Sequence, residues 1–284
     1  MWLKVIVSGL ALGSFYSIVA LGFSMVLGVR RVFNLAHGEL LILGGYIAYI
    51  LWNRFDVSFW LTVPFAVVAL LVVGLALNKV FQLIDEPLEL NTIVFTFGLA
   101  IFLQNFMLMA FSANYHLIKN PHWNELVNLG IKGWEMSYGQ GILLLISTAM
   151  VFSLYFFLRH TFWGKALRAT IQDKEAAGMA GINVNKVGLV AFLLGIGLVG
   201  MAGPFFASFH YIYPAGGGEA TLIAIIITIF AGVGHVRAII WGGWLLGLVE
   251  SFATIFFGAS WREGVSSAIL IIILLYKPHG ISAE

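Results

Sequence analysis

The chain contains no cysteine. Disulfides, thiolate metal sites and cysteine nucleophiles are therefore excluded. Charge is nearly as scarce: Asp, Glu, Lys and Arg make up 10% of the 284 residues, against about 25% in soluble domains. A chain that is 61% hydrophobic and so poorly charged is not a water-soluble fold. Its net charge of +2 gives no electrostatic case for nucleic acid. Two further motifs are missing. There is no G-x-x-x-x-G-K-[ST], because Gly164-Lys165 lacks both the earlier glycine and the following hydroxyl, so the chain has no phosphate-cradling loop. No His-x-x-x-His pair or other metal motif is present, and His37, His210 and His235 lack paired axial-ligand spacing. No metal or cofactor is expected, and a membrane enzyme or haem subunit is disfavoured.

What is present is a succession of apolar runs, each close to the roughly 20 residues a membrane-crossing helix needs. The short alternating segments of an outer-membrane barrel do not occur. The 32 glycines suit a bundle whose helix backbones approach closely. The pattern predicts an all-α polytopic bundle, residues 1–284, with helices at about 5–29, 33–52, 58–77, 92–112, 139–158, 187–207, 220–236, 238–258 and 264–276. Ala231 to Arg237 reads either as a tight turn or as a break inside one helix, so eight to ten spans are expected. The first run lacks a cationic leader and a small-residue cleavage site, and reads as a retained helix.

Basic residues near helix ends set orientation. With nine spans, Arg30, Arg31, Lys79, Arg159, Lys165, Arg168, Lys174, Lys186, Arg237 and Lys277 share one side, while Lys4, Arg54, Lys119, Lys132 and Arg262 share the other. Ten against five makes the 159–186 loop and the C-terminal tail cytoplasmic, the 113–138 loop external and the N-terminus external. The external loop, with Trp123 and Trp134 suited to interfacial depth, reads equally as a connector or as a docking surface for an extracytoplasmic partner.

One segment differs from its surroundings. From Trp163 to Ala180 good helix formers dominate, and Gly181 follows where a left-handed C′ residue ends a helix. Ala166, Leu167, Thr170, Ile171, Lys174 and Gly178 fall on one stripe, with Arg168, Gln172 and Glu175 on the other side. A charged loop that only anchors orientation explains the cations. It does not explain Glu175-Ala176-Ala177-x-x-x-Gly181, whose small residues and glycine stop suit insertion into a groove.

That E-A-A-x-x-x-G resembles the coupling-helix signature of bacterial ABC importer permeases. W-G-K-A-L-R-A-T-I-Q-D-K-E-A-A-G-M-A-G-I-N-V-N-K-V around it is similar to the form found in branched-chain amino acid ABC transporter permeases. R-R-V-F-N-L-A-H-G-E-L-L-I-L-G-G-Y (Arg30 to Tyr46), N-T-I-V-F-T-F-G-L-A-I-F-L-Q-N (Asn91 to Asn105) and Y-K-P-H-G-I (Tyr276 to Ile281) agree, in collinear order. The chain departs from the longer importer pattern in having no I-x-L-P after Gly181. The family's Gly-Gly-x-Gly turn reads Ala231-Gly232-Val233-Gly234 here. The resemblance implies a multi-pass bacterial inner-membrane permease subunit. Its partners would be cytoplasmic ATPase subunits, a second homologous permease and an extracytoplasmic solute-binding protein. Lys165, Arg168, Asp173, Glu175, Ala176, Ala177 and Gly181 would form the ATPase contact.

Acids inside a membrane cost about 2.5–3.5 kcal/mol on insertion scales. Glu39 is expected at the cytoplasmic start of the second span, either completing a cap with Asn34 or lining the transport route. His37 is expected to pair with Glu39 or a carbonyl. Glu250 lies mid-span and must be paired, in a structural or a pathway role. Thr96, Gln104 and Asn105 form the most polar face of the fourth span. Phe205 to Gly218 reads as an external gate or a loop. The expected translocation set is Asn34, His37, Glu39, Thr96, Gln104, Asn105 and Glu250. The function expected is import of branched-chain or related hydrophobic amino acids. A urea or short-amide importer is the alternative within the family, and an ion-coupled secondary transporter is the alternative outside it.

Overall fold

The computed structural model describes residues 2–84, 88–120, 123, 125–128 and 135–276. Trp134, Lys132 and the tail from Lys277, with its K-P-H-G-I, lie outside them. The order is α1 (Trp2–Arg30), α2 (His37–Phe55), α3 (Phe59–Phe81), α4 (Leu88–Phe111), β1 (Leu126–Asn128), β2 (Glu135–Ser137), α5 (Tyr138–His160), α6 (Phe162–Gln172), α7 (Lys174–Met179), α8 (Val184–Phe209), α9 (Gly217–Ala231), α10 (Val236–Phe257) and α11 (Arg262–Tyr276). Each of the nine expected helices has a counterpart. Six of them, α1, α3, α4, α5, α8 and α10, are long and apolar enough to cross a membrane by length and composition. The 113–138 loop adds a small antiparallel ribbon, Leu126 opposite Ser137 and Asn128 opposite Glu135.

Two expected boundaries change. The stretch from 163 to 180 is two helices rather than one, because Asp173 takes an extended backbone and caps α7 with its side chain. The ambiguity at 231–237 resolves as a tight turn between α9 and α10, with the His235 N–H 3.3 Å from the Gly232 carbonyl. Gly232 and Gly234 both have φ of 82°, a left-handed conformation cheap only for glycine. Ala231, standing where the family's first glycine would be, is the last residue of α9 and needs no such freedom.

The chain divides into two compact units. One comprises Met1–Ala20, Lys119–Tyr155 and Ile223–Glu284, the other Leu21–Ile118 and Phe156–Leu222. In the first, α1 and α10 meet along a seam of glycines, Gly9 and Gly13 on one helix, Gly243 and Gly247 on the other. A Cβ on Gly13 would meet the Gly243 carbonyl, and one on Gly247 the Gly9 and Gly13 backbones. Two small-x-x-x-small faces thus bring the backbones together. Trp244 Nε1 donates to Ser14 Oγ at 2.9 Å and Ser251 Oγ to the Val5 carbonyl at 2.9 Å, closing the seam on both flanks.

The second unit is built around α2, which packs on α3 and α8. Gly45 of α2 lies against the Gly203 carbonyl and Ala207 of α8, and Gly22 of α1 against the Gly195 carbonyl. Outward faces of α3 and α4 carry Phe65, Val68, Val72, Val94, Phe97 and Phe102 exposed, as a lipid-facing surface requires.

Candidate functional site: a polar centre where two helices begin

Within the second unit, α1 ends at Arg30 and Arg31 turns the chain with φ of 57°. Residues 32–36 then run back in non-helical form alongside α1. His37 comes to rest beside Gly22, eight residues up from Arg30 and so about 12 Å along the helix. The first turn of α2 is therefore deep in the unit, not at the cytoplasmic start expected from the sequence. The misplacement has a simple cause. Sequence periodicity cannot distinguish a helix that begins at the surface from one preceded by an extended re-entrant stretch.

Backbone without helical partners is tolerated at such depth only where other groups satisfy it. Two threonines do so. Thr96 Oγ1 of α4 accepts from the Leu35 N–H at 3.1 Å and lies 2.9 Å from the Phe33 carbonyl. Thr221 Oγ1 of α9 accepts from the Gly38 N–H at 2.8 Å. Asn34 Oδ1 accepts from the Ala36 N–H at 3.2 Å, one residue short of capping α2, whose N-cap Ala36 has no side-chain bond. Asn34 thus shapes the approach to the helix rather than its first turn.

Glu39, 1% exposed, is in that first turn, where a carboxylate complements the helix dipole. Gln104 Nε2 of α4 donates to Glu39 Oε1 at 2.8 Å. The start of α9 closes the other side. A Cβ on Gly217 would meet the Glu39 carboxyl group, and one on Gly38 would meet the Gly217 carbonyl and Thr221 Oγ1. Only glycine lets these two helix beginnings touch. Among the described residues, Glu39 Oε2 and Asn34 Nδ2 are buried without a hydrogen-bond partner. His37 is wholly buried, its ring edge-on to Phe23 with centroids 5.6 Å apart.

Asn34, His37, Glu39, Thr96 and Gln104 are thus brought together. Asn105 is not: it is exposed and donates to the Ile101 carbonyl of its own helix at 2.8 Å. Glu250 belongs to the first unit. There Tyr16 Oη donates to Glu250 Oε2 at 2.7 Å, Arg262 Nε pairs with the same oxygen at 2.6 Å, and Ser266 Oγ donates to Oε1. Arg262 also donates to Tyr16 Oη. This carboxylate is paired, as a mid-span acid must be. The partners missed from sequence are Gly38, Gly217 and Thr221 around Glu39, and Tyr16, Arg262 and Ser266 around Glu250. The glycine run before Thr221 was the one local signal, since it allows a helix to begin where another backbone passes. Phe205 to Phe209, expected in a gate or loop, complete α8. His116 and Ile212 exchange backbone bonds of 2.9 and 2.8 Å, fixing the connection that follows.

The 159–186 segment is capped three times by side chains. Thr161 accepts from Gly164 N at 3.0 Å, Asp173 from Glu175 N and Ala176 N at 2.9 and 3.0 Å, and Asn183 from Lys186 N at 3.0 Å. The end of α7 has the expected glycine stop. Gly181 has φ of 83°, its N–H reaches the Gly178 carbonyl, and Ile182 N–H reaches the Ala177 carbonyl. Those are the paired bonds of a Schellman ending. Lys165, Arg168, Asp173, Glu175, Ala176 and Gly181 are exposed and Ala177 is buried. Ala166, Leu167 and Thr170 are buried as the stripe predicted, whereas Lys174 and Gly178, beyond the break, are exposed.

Comparison with known proteins agrees with this architecture. Residues 5–274 match the family of the branched-chain amino acid transport system permease component. The high-affinity branched-chain amino acid transport system permease protein BraD of Pseudomonas aeruginosa is 28% identical over 99% of this chain and 95% of its own length. The corresponding LivH of Escherichia coli K12 is 26% identical over the same shares. A solved structure, PsaBC from Streptococcus pneumoniae in complex with Fab, aligns over 96% of this chain and 91% of its own at a TM-score of 0.52 and 15% identity, a likeness of fold alone. A helical chain with six helices long and apolar enough to cross a membrane among its described residues, matched over nearly its whole length, belongs to the branched-chain amino acid permease family and is a multi-pass inner-membrane protein.

Proposed function

We propose that this chain is the permease subunit of an ATP-driven importer of branched-chain or related hydrophobic amino acids. ATP is hydrolysed on separate cytoplasmic subunits that seat on α6 and α7. An extracytoplasmic binding protein delivers the ligand, and a second homologous permease completes the pair. The observation that carries the ATP-driven reading is the thrice-capped α6–α7 segment. It carries capping bonds at the starts of α6, α7 and α8, exposes Lys165, Arg168 and Glu175, and closes on a glycine turn. A loop serving only to anchor orientation has no need of that order.

The polar centre supports the pathway part of the reading. Helix beginnings that meet within apolar surroundings are how many transporters hold a charged ligand group. Glu39 Oε2 suits an ammonium, and the Asn34 amide suits a carboxylate. Permeation past them concerns the polar backbone of an amino acid, leaving aliphatic side chains to the surrounding Phe, Ile and Val.

The test replaces Glu175 with Lys and Gly181 with Val in the assembled transporter. Uptake and co-purification of the ATPase subunit are expected to fall together, with the permease still inserted and folded. Normal uptake with normal assembly would remove the coupling assignment.

A further inference from the structure

A second polar recess in the same unit is unused by this reading. A cavity of about 510 Å³ opens between the end of α1, the end of α3 and the starts of α7 and α8. Its polar lining is Arg30, Gln82, Lys174 and Asn185: two cations and two amides. Arg30 is held in place rather than free to swing. One NH2 group bonds Asn78 Oδ1 at 2.5 Å, the guanidinium lies 5.5 Å from the centre of the Phe192 ring, and Gly188 leaves room for its Nε. Among the described residues no carboxylate pairs with Arg30 or Lys174. A guanidinium fixed on one wall and an ammonium on a flexible stem on another suit an oxyanion that accepts from both.

We propose that this cavity binds a phosphate group, with Arg30 and Lys174 as its charged ligands and Gln82 and Asn185 as its neutral donors. The excess of basic residues assigns this face to the cytoplasm. A basic recess between helix ends at that surface is the setting in which anionic lipid headgroups are held. Soluble phosphate offers the same chemistry. On the importer reading, an occupant would brace Lys174, the first residue of α7, against α1. The binding itself does not depend on that reading.

The experiment uses the full chain in lipid nanodiscs, with bound molecules counted by native mass spectrometry. Discs contain phosphatidylcholine alone, phosphatidylcholine with phosphatidylglycerol, or phosphatidylcholine with added inorganic phosphate. Wild type is expected to retain phosphatidylglycerol, with R30Q and K174Q each weakening retention about fivefold, the effect of one cation near a charged surface. Retention of inorganic phosphate instead, lost in the same variants, identifies the soluble source. Equal retention of both probes by wild type and K174Q overturns the proposal. Lys174 is exposed, so that variant is read without concern for folding. If phosphatidylglycerol binding is lost in K174Q while ATP-coupled uptake is unchanged, the site stands and the bracing of α7 is what fails.

Discussion

Each unit buries a glutamate to 1% exposure, and the two are treated in opposite ways. Glu250 has every need met. Tyr16, Arg262 and Ser266 converge on its two oxygens, and three helices are tied at one point. Glu39 has one donor, Gln104, on one oxygen, and its other oxygen is buried without a partner among the described residues. A saturated acid has nothing left to offer a ligand. A half-satisfied acid bears a standing desolvation cost that a cationic ligand would relieve. Burial and charge are alike in the two acids; the unmet hydrogen bond is what sets Glu39 apart as the proposed pathway acid.

The sharpest way to break the contrast is to unpair the saturated acid. Arg262→Met leaves Glu250 buried with its ion partner gone, and the expected loss is about 3–5 kcal/mol. Thermal unfolding in detergent measures it, and adding Glu250→Met should restore most of the loss. A single variant as stable as wild type would show that the network contributes nothing.

Glu39→Gln should do the reverse. The fold is kept, within about 1 kcal/mol, because the carboxyl group has one protein partner to lose. Uptake should fall roughly tenfold or more, the worth of a hydrogen bond to a charged group. If stability collapses and the surviving protein transports normally, Glu39 is the structural acid and the comparison inverts. The effects on uptake and stability must therefore be measured on the same preparations.

A smaller effect separates the seam from the lipid-facing surface. Gly247→Ala puts a Cβ into the Gly9 and Gly13 backbones, and should cost about 1–3 kcal/mol. Gly98→Ala meets nothing within 4 Å, and should be neutral or stabilising by about 0.5–1 kcal/mol from helix propensity. Unfolding midpoints of the two variants, compared directly, check both numbers.

Much of this is legible in the sequence. Apolar runs of the right length gave the helices, and Gly181 gave the end of α7, because both are local properties of neighbouring residues. Asp173 illustrates where locality fails. Its side chain has two options, to ride on a continuous helix or to stop it and start another, and the structure takes the second, with Asp173 accepting from Glu175 N and Ala176 N. Glu39 illustrates a deeper limit. Its depth depends on how far residues 32–36 run back along α1, and that is fixed by Thr96 and Thr221, far away in the chain. Asn105 looked equivalent to Gln104 because they are adjacent. On a helix, adjacency turns side chains about 100° apart, so one reaches Glu39 and the other faces outward.

The re-entrant backbone before α2 owns few of its hydrogen bonds; two hydroxyls on loan from α4 and α9 keep it in register. A designer wishing to retune this protein would thus have a handle remote from any cargo. Replacing Thr96 with valine removes the acceptor for the Leu35 N–H, and so acts on the stretch that carries Glu39 with no change to the acid itself.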